Sequence, residues 1–351
     1  MKKIVTVIGT RPEIIKMFPI IKQLDKTFNH TLILSGQHFS KNMVHNIFKD
    51  IGLRKPDYII DIKKKRNYQF FELQEKIFKL VKKINPSAVV YHGDTLTTTA
   101  ISSSLYIYLN NIKKIHIEGG YRSTDKNQSE ERLRYISDHM SDLIFVQRNN
   151  DKLNLKKEGV SKNVFVVGNS INDSIKEILN KKKQKLSCDH VLCTIHRQEN
   201  VNNLRRFIKI IDLINYISKT KKIIFSVHPR TKKMIKEKNL RISKNVKIIE
   251  PVNYSILISL IEDSSFVISD SGGIQEEAVI LKKQCIVPLN FTPHNYYVSP
   301  NANIIINLDK KNYLRKAKNF LKNYKKNKKF KYFNHPKNVS KKIVKIIKKN
   351  I

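Results

Sequence analysis

The chain has 351 residues, and its 68 Lys and Arg residues against 29 Asp and Glu residues give a formal charge of +39. This length predicts two domains, and a hydrophobic fraction of 40% predicts that they are globular. The lysines are spread over the whole chain without a metal-spaced Cys/His set, a ribonucleoprotein-type aromatic pair or a basic heptad helix, so nucleic acid is not the expected partner.

Cysteine usage and hydropathy indicate a reducing compartment. Three cysteines, Cys188, Cys193 and Cys285, are too few and too irregularly spaced for a disulfide framework or a zinc site. The apolar run at the start of the chain is interrupted at residues 9–12 and is too short for a signal peptide, and no stretch approaches the length of a membrane span. We therefore expect a cytoplasmic protein without a membrane span.

In the first half of the chain, short β-branched runs alternate with segments of helical spacing. The runs are Ile4–Ile8, Thr31–Leu34, Ala88–Tyr91, Lys114–Ile117, Leu143–Val146 and Val164–Val167. Between them, Glu13–Leu24 and Phe70–Ile84 have the apolar period of a helix. This alternation predicts a parallel sheet covered by helices on both faces, in a domain that we expect to span residues 1–170.

A second series of the same kind follows and ends in a helical tail. Its predicted strands are Val191–Thr194, Lys222–Val227, Val246–Ile249, Phe266–Ile268, Gln284–Val287 and Asn303–Ile306. We expect a second domain over residues 171–330 and a helical tail over residues 331–351. The predicted fold is thus α/β, with two doubly wound Rossmann-like domains that face each other across a cleft.

Every motif with chemical potential follows a predicted strand, which is where doubly wound sheets bind their ligands. After the first strand, Pro12 suits the first turn of a helix, and Lys16 lies one turn further on the same face. Arg11 and Lys16 can therefore converge on an anion, although two ordinary surface charges would give the same pattern.

Acidic residues follow the later strands of the first series. Asp94 comes directly after a strand and a glycine, and Glu118 holds the equivalent place after the next strand. Glu130 lies downstream at a helix start capped by Ser129, where an acid also favours the helix dipole. Three carboxylates in one cleft would have raised or divergent pKa values, as a general acid and a general base require.

Histidine and arginine follow two strands of the second series. His196 and Arg197 come after the first of them, and His228 and Arg230 come after the next. A lone histidine is usually structural. Two such groups beside a helix that opens with glycine favour the binding of a diphosphate.

A glycine turn lies between an apparent strand and an apparent helix late in the chain. Ser265–Ser269 has the composition of a strand, and residues 274–282 can continue as a helix. Ser271, Gly272 and Gly273 would open that helix with backbone N–H groups that suit a phosphate. Glu277 follows on its first turns, within reach of sugar hydroxyls, although an ordinary loop would contain the same turn.

Taken in order over residues 1 to about 310, these motifs resemble those of the UDP-N-acetylglucosamine 2-epimerase family, whose architecture is of the glycosyltransferase-B type. The motifs are GTRPEIIKMFP, SGQHFSKNM, HGDT, HIEGG, SEERLR with SDH, VVGNSINDS, HRQEN and SDSGGIQEEA. The resemblance implies that Asp94, Glu118 and Glu130 are catalytic acids, and His196 is assigned with them. The expected substrate- and UDP-binding residues are Arg11, Lys16, Arg122, Arg134, Arg197, His228, Ser271, Gly272, Gly273 and Glu277.

The resemblance implies removal of the C2 proton of a UDP-N-acetylhexosamine with anti loss of UDP. A 2-acetamidoglucal forms, and UDP then returns while a proton is delivered to the opposite face. A carboxylate serves as the base, and cations stabilise the departing diphosphate. We expect neither a metal nor a nicotinamide cofactor, and a homodimer is one assembly that the sequence allows.

The departures from the family pattern surround the sugar rather than the nucleotide. Members that do not hydrolyse their substrate commonly have a TERPE segment where this chain has Asn290–Asn295. At a second nucleotide-sugar site, Gln37 and His38 are retained, but Ser40 replaces the usual glutamine. The alternatives are a hydrolysing relative that releases N-acetylmannosamine and UDP, an epimerase of a modified sugar such as a diacetamido uronate, and a glycosyltransferase of the same architecture.

Overall fold

The computed structural model describes residues 1–36, 41–63, 68–123, 128–181, 189–290, 302–324 and 336–351, with the backbone alone at 41–45. The chain divides into two compact units. The first unit comprises Met1–Glu177 and His335–Ile351, and the second comprises Ile178–Asn334.

Seven parallel strands form the sheet of the first unit. In chain order they are β1 (Lys3–Ile8), β2 (Asn29–Ser35), β3 (Tyr58–Ile60), β4 (Ala88–His92), β5 (Lys113–Gly119), β6 (Leu143–Val146) and β7 (Val164–Val166). The spatial order is β3-β2-β1-β4-β5-β6-β7, so the direction of winding reverses between β1 and β4. The three-residue strand β3 was not predicted, because it is short and two of its three side chains are exposed at the edge of the sheet.

Helices connect these strands and cover the sheet. They are α1 (Arg11–Thr27), α2 (Lys41–Ile51), α3 (Gln69–Ile84), α4 (Leu96–Tyr108), α5 (Ser129–His139), α6 (Asn149–Lys157) and α7 (Ile171–Asn180). Residues such as Ile14, Phe18 and Ile21 give α1 a fully buried stripe, which fixes the helix against the sheet. The first turns of α1 and α4 consequently lie at the carboxyl ends of β1 and β4.

The second unit repeats this design with six parallel strands, in the spatial order β10-β9-β8-β11-β12-β13. The strands are β8 (His190–Ile195), β9 (Lys222–Val227), β10 (Val246–Ile249), β11 (Ser264–Ser269), β12 (Cys285–Val287) and β13 (Asn303–Ile305). The helices are α8 (Gln198–Val201), α9 (Leu204–Ser218), α10 (Pro229–Glu237), α11 (Tyr254–Asp263), α12 (Gly272–Ile280) and α13 (Tyr313–Asn323). Two parallel sheets covered by helices confirm the predicted α/β class, and here the winding reverses between β8 and β11.

The last helix, α14 (Val339–Asn350), returns to the first unit and packs on α1. Its start is fixed by Ser340, whose backbone N and Oγ both donate to Asp173 Oδ2, at 2.8 and 2.6 Å. Ser174 Oγ also donates to the carbonyl of Ile15 at 2.7 Å, which ties α7 to α1. The boundaries of the two units therefore differ from the expected domain boundaries at residues 170 and 330. The reason is that α7 begins within the first unit and the C-terminal helix rejoins that unit.

None of the helices in the described ranges is both long and apolar enough to cross a membrane.

Candidate active site

In the first unit, the polar site begins at the carboxyl end of β1, beside β4 at the reversal of winding. Gly9 ends this strand, and a Cβ placed there would lie 2.4 Å from both Ser35 Oγ and Thr97 Oγ1. These two hydroxyls hydrogen-bond each other at 2.6 Å. Only glycine lets the chain turn into α1 at this point, because any side chain would displace that pair.

The start of α1 is occupied by a carboxylate of its own third residue. Glu13 Oε2 accepts from the backbone N–H groups of Gly9 and Thr10 at 2.5 and 2.7 Å, and Glu13 Oε1 accepts from Thr95 Oγ1 at 2.7 Å. Burial raises the pKa of Glu13, while the charge of His92 and these hydrogen bonds oppose that rise. The sequence reasoning did not assign Glu13, although Thr10 followed by Glu13 has the spacing of a helix capping box.

Lys16 projects from α1 to Glu118 at the end of β5. Lys16 Nζ lies 2.7 Å from each carboxylate oxygen, and His92 Nε2 lies 3.3 Å from Glu118 Oε2. Burial acts to raise the pKa of Glu118, but the positive charges of Lys16 and His92 outweigh it and hold that pKa well below 4.5. The sequence predicts that Arg11 and Lys16 converge on an anion; in the structure, Lys16 contacts the carboxylate of Glu118, whose pKa is lowered.

The backbone at Glu118 has an uncommon conformation. Its φ of +69° is in the left-handed region, as is that of Gly120 at +75°. The pairing of β5 with β6 shifts register between Ile117 and Gly119, so Glu118 occupies a bulge. A bulge at a strand end re-aims a side chain, and the left-handed conformation of a non-glycine residue persists only where its surroundings hold it.

Asp94 is engaged by an arginine of α5. Arg134 NH2 is hydrogen-bonded to Asp94 Oδ2, and Arg134 NH1 donates to Glu131 Oε2 at 2.6 Å. The guanidinium of Arg134 also lies 4.8 Å from the centre of the Tyr121 ring. Arg134 is thus buried between two carboxylates and an aromatic ring, and it fixes the side chain of Asp94.

Arg122, expected to bind substrate, also lies between carboxylates. Its Nε and NH2 donate to Glu158 at 2.7 and 2.6 Å, and its NH1 donates to Asp138 Oδ2 at 2.8 Å. Burial acts to lower the pKa of Arg122, but the hydrogen bonds that it donates to Glu158 and Asp138 outweigh burial and raise that pKa above its ordinary value. Arg122 therefore remains charged while it links α5 to α6.

Glu130 and Arg11 are the predicted residues of this unit that face solvent. Arg11 is the first residue of α1 and is exposed. Glu130 is exposed on the first turn of α5, where Ser129 Oγ donates to its Oε2 at 3.0 Å. The helix starts at Ser129 with Gln128 as the preceding residue, so Ser129 does not cap it as expected, because its hydroxyl binds Glu130 instead.

In the second unit, a buried aspartate fixes the turn that carries the predicted histidine. Asp270 follows β11 and is completely buried. It accepts from the backbone N–H groups of His196 and Arg197 at 3.1 and 3.0 Å and from Asn200 Nδ2 at 2.9 Å. His196 is itself exposed at the end of β8, with its Nδ1 3.6 Å from Asp270 Oδ1. Asp270 was present in the SDSGG motif but received no role from the sequence.

The predicted glycine turn starts helix α12. Ser271 is its cap residue, and Gly272 and Gly273 occupy the first two helical positions, whose N–H groups have no acceptor within a helix. The Ser271 N–H donates to Ser269 Oγ at 3.1 Å. A Cβ on Gly273 would meet no atom of the described residues within 4 Å. Glu277 lies on the same helix and is 6% exposed.

His228 caps the start of helix α10. It precedes α10, and its Nδ1 accepts from the backbone N–H of Arg230 at 3.3 Å. His228 is exposed at the end of β9, the strand beside β8. A cap role is compatible with the remaining ring nitrogen facing a ligand.

Part of the predicted sugar environment lies outside the described residues. This applies to Gln37, His38 and Ser40 and to residues 291–295, whereas Asn290 is described and its Nδ2 donates to Asp309 Oδ2 at 2.6 Å. Over the described ranges, no group of three or more His, Cys, Asp or Glu residues could hold a metal ion.

Two parallel α/β units, each with a polar site at the point where the winding of its sheet reverses, define a two-domain protein of the doubly wound class. The family model of UDP-N-acetylglucosamine 2-epimerase matches residues 22–348. The chain therefore belongs to the UDP-N-acetylglucosamine 2-epimerase family, as its motifs indicated.

Named relatives resemble the chain over most of its length. A UDP-N-acetylglucosamine 2-epimerase of Methanocaldococcus jannaschii is 38% identical over 345 residues, which cover 93% of each chain. A crystal structure of the UDP-GlcNAc 2-epimerase of that organism, in complex with UDP-GlcNAc and UDP, superposes with a TM-score of 0.82 at 37% identity over 99% of both chains. A UDP-2,3-diacetamido-2,3-dideoxy-D-glucuronate 2-epimerase of Pseudomonas aeruginosa is 30% identical over 87% of this chain and 88% of its own.

Proposed function

We propose that this protein is a UDP-N-acetylglucosamine 2-epimerase that interconverts UDP-N-acetylglucosamine and UDP-N-acetylmannosamine. The observation that carries the proposal is the contact of Lys16 with Glu118 beside His92, at the ends of three adjacent strands. Family membership supplies the substrate class, and two of the relatives named above are a UDP-N-acetylglucosamine 2-epimerase and the structure of such an enzyme in complex with UDP-GlcNAc and UDP.

The reaction requires a base for a weakly acidic proton and stabilisation for a leaving diphosphate. A carboxylate of the first unit takes the C2 proton, the electron pair forms the C1–C2 double bond, and the C1–O bond breaks to release UDP. A second acid then protonates C2 on the opposite face while a β-phosphate oxygen of UDP rebonds to C1. We assign these proton transfers to Asp94, Glu118 and Glu130, with His196 as a further group at the reacting centre.

Glu118 and Asp94 suit complementary tasks because their partners differ. Lys16 and His92 hold Glu118 ionised, which is the form that accepts a proton. Asp94 is held by Arg134, so its orientation depends on α5, the helix that also carries Glu130. Two carboxylates fixed by separate elements can address the two faces of one carbon.

The second unit holds the nucleotide in this proposal. The N–H groups at the start of α12 carry the partial positive charge of the helix dipole and suit the diphosphate. Arg197 adds a cation that a departing diphosphate needs, and the ring of His228 adds an N–H donor. Glu277 is assigned to the ribose hydroxyls.

Incubation with UDP-N-acetylglucosamine in deuterated water, followed by NMR of the sugar, tests the proposal. We expect deuterium at C2 in both epimers and an equilibrium mixture of two UDP-sugars. Absence of C2 deuterium would contradict the proposed reaction on this substrate. Label in free N-acetylmannosamine, with UDP released in equal amount, would instead identify a hydrolysing enzyme.

A modified sugar is the second candidate substrate. The 30% identity to the diacetamido-glucuronate epimerase is the observation that favours it, and the sequence departs from the family pattern at Asn290–Asn295. The same NMR assay with UDP-2,3-diacetamido-2,3-dideoxy-glucuronate decides between the two. A kcat/KM at least tenfold higher for the uronate would assign the protein to that substrate.

We place the enzyme in the cytoplasm, in the biosynthesis of a polysaccharide that contains the epimerised sugar. The free and buried thiols Cys193 and Cys285 are compatible with a reducing compartment.

We also propose a homodimer, because Phe71, Tyr106 and Tyr108 are more than half exposed on the adjacent helices α3 and α4. Light scattering of the purified protein should give twice the mass of one chain, and the mass of a single chain would contradict the dimer.

A further inference from the structure

Asp138 is a completely buried carboxylate on α5 that the reaction described above does not use. Its Oδ1 lies 2.9 Å from His116 Nδ1, and its Oδ2 accepts from the backbone N–H of Gly120 at 3.0 Å and from Arg122 NH1 at 2.8 Å. Three partners thus meet at this side chain of α5: His116 of β5, Gly120 directly after it, and Arg122 in the segment that follows.

His116 extends this contact to the neighbouring strand. Its Nδ1 faces the carboxylate of Asp138, and its Nε2 lies 2.8 Å from the carbonyl oxygen of Gly93. Both ring nitrogens therefore have a partner, and His116 links the carboxylate of Asp138 to the peptide of Gly93, immediately before Asp94.

The backbone segments held in this way are those with left-handed residues. Gly93 has a φ of +71°, Glu118 of +69° and Gly120 of +75°. Glu118 keeps this conformation only where its surroundings hold it, whereas the two glycines adopt it without strain and need an anchor to be fixed in one conformation. Asp138 anchors Gly120 directly and Gly93 through His116, one or two residues from the proposed catalytic carboxylates.

We propose that Asp138 is a positioning residue, which sets the backbone of Asp94 and Glu118 for proton transfer at C2 without touching the substrate. The proposal rests on the proposed function and adds a residue to it. Burial acts to raise the pKa of Asp138, but His116 and Arg122 outweigh burial and keep the carboxyl ionised. A neutral side chain of the same shape would keep the packing and lose the charge that orders its three donors.

The test compares Asp138→Asn with Asp142→Asn in the full chain. Asp142 is a matched control because it accepts from the backbone N–H of Lys114 at 2.8 Å, at the opposite end of β5. A displacement of about 1 Å at a reacting centre costs roughly 100-fold in rate, so we expect C2 deuterium exchange to fall by about that factor in Asp138→Asn only. KM and the affinity for UDP should stay within about threefold of wild type, since the substrate contacts remain.

Wild-type exchange is measured first, because its absence would overturn the proposed function rather than the role of Asp138. With wild-type exchange present, equal rates in Asp138→Asn and Asp142→Asn overturn the positioning role. An equal loss of kcat and UDP affinity, with a lower Tm, also overturns it in favour of a merely structural role.

Two further experiments keep the proposal testable if Asp138→Asn does not fold. In Gly119→Ala, the new Cβ would lie 2.4 Å from Asp138 Oδ1 and 2.5 Å from Ile144 Cγ2, so both side chains must move while every charge is retained. We expect the same loss of kcat without loss of UDP affinity, and unchanged kcat overturns the role. In the unmodified protein, ¹⁵N NMR should find a proton on Nε2 of His116, because the carbonyl oxygen of Gly93 can only accept, and a bare Nε2 would contradict the link to Gly93.

Discussion

The two units share one sheet design but build their sites from different chemistry. In the first unit, Glu13 fills the start of α1, and the cations Lys16 and Arg134 are paired with carboxylates. In the second unit, α12 opens with two glycines, a Cβ on Gly273 would meet no atom of the described residues within 4 Å, and Asp270 holds the turn beside it. A helix start that is already capped is a poor anion site, whereas an open one is a good site, so proton transfer and nucleotide binding should be separable by mutation.

Glu118→Gln should separate the loss of proton transfer from the loss of nucleotide binding most strongly. The amide cannot accept the C2 proton, so the rate of C2 deuterium exchange should fall by about 10³-fold, within the range of general-base catalysis. The UDP affinity measured by calorimetry should change by less than about threefold, because the variant leaves α12 untouched. Glu75→Gln, which removes a carboxylate from an exposed pair with Lys79, is the control and should keep full activity.

Retained exchange in Glu118→Gln would remove Glu118 from the proposed role. A comparable loss of exchange and of UDP binding would instead mean that the two functions are not divided between the units.

Asp270→Asn should instead weaken UDP binding more than proton transfer. One of the two backbone donors at His196 and Arg197 would then face an amide NH₂ group, and leaving a buried donor without an acceptor costs about 1–3 kcal/mol. We expect a lower Tm and a UDP affinity that falls by a larger factor than deuterium exchange at saturating substrate, since Asp270 holds the backbone of His196 but contacts none of the proposed catalytic carboxylates. Asp189→Asn, at an exposed pair with Lys221, should change neither quantity. Loss of exchange with intact UDP binding would reverse the assignment of the units.

Gly273→Ala should weaken binding while preserving the fold. The Cβ projects into open space, so no steric cost arises within the protein, and alanine favours a helix over glycine by up to about 1 kcal/mol. In front of a bound phosphate the same Cβ would crowd the oxygen atoms, and loss of one charge-assisted hydrogen bond corresponds to roughly tenfold in Kd. Thermal unfolding and calorimetry should therefore move in opposite directions. Unchanged UDP affinity would remove this helix start from the diphosphate site.

The smallest expected effect is a pH dependence of thermal stability that arises in the first unit alone. The pKa of Glu118 is below 4.5 in the folded protein, so its ionised form stabilises the fold fully above pH 4.5. That contribution is lost as the pH falls through the lower folded-state value. The difference in Tm between wild type and Glu118→Gln should thus be constant from about pH 7 to 5 and move in favour of the variant in more acidic solution. A difference that moves in favour of wild type as the pH falls would contradict the ion pair with Lys16.

The sequence predicted the sheets better than the contacts at their ends. Buried strands such as β6 and β9 have short β-branched runs that only a covered parallel sheet explains, and their predicted bounds agree with the structure. The glycine turn before α12 was predicted for the same reason, because its signal is local. The edge strand β3 and the return of α14 to α1 depend on long-range packing, which periodicity does not encode.

The supporting side chains were the part of the site that sequence could not predict. These side chains act through partners that are distant in sequence. Gly120 and Asp138 are 18 positions apart, and His196 and Asp270 are 74 positions apart. Glu131, rather than Glu130, pairs with Arg134, and adjacent residues on a helix start differ in direction by about 100°, since a helix has 3.6 residues per turn. The role of Glu130 stays a prediction.

Positional isotope exchange is the most direct test of the central claim that the C1–O bond breaks when C2 is deprotonated. UDP-N-acetylglucosamine labelled with ¹⁸O in the oxygen that bridges C1 and the β-phosphate is incubated with the enzyme and followed by ³¹P NMR. Since the departing β-phosphate can rotate before it rebonds, we predict that the label spreads to non-bridging positions in UDP-sugar that remains intact. Deuterium at C2 with the label still wholly in the bridge would contradict elimination and return of UDP.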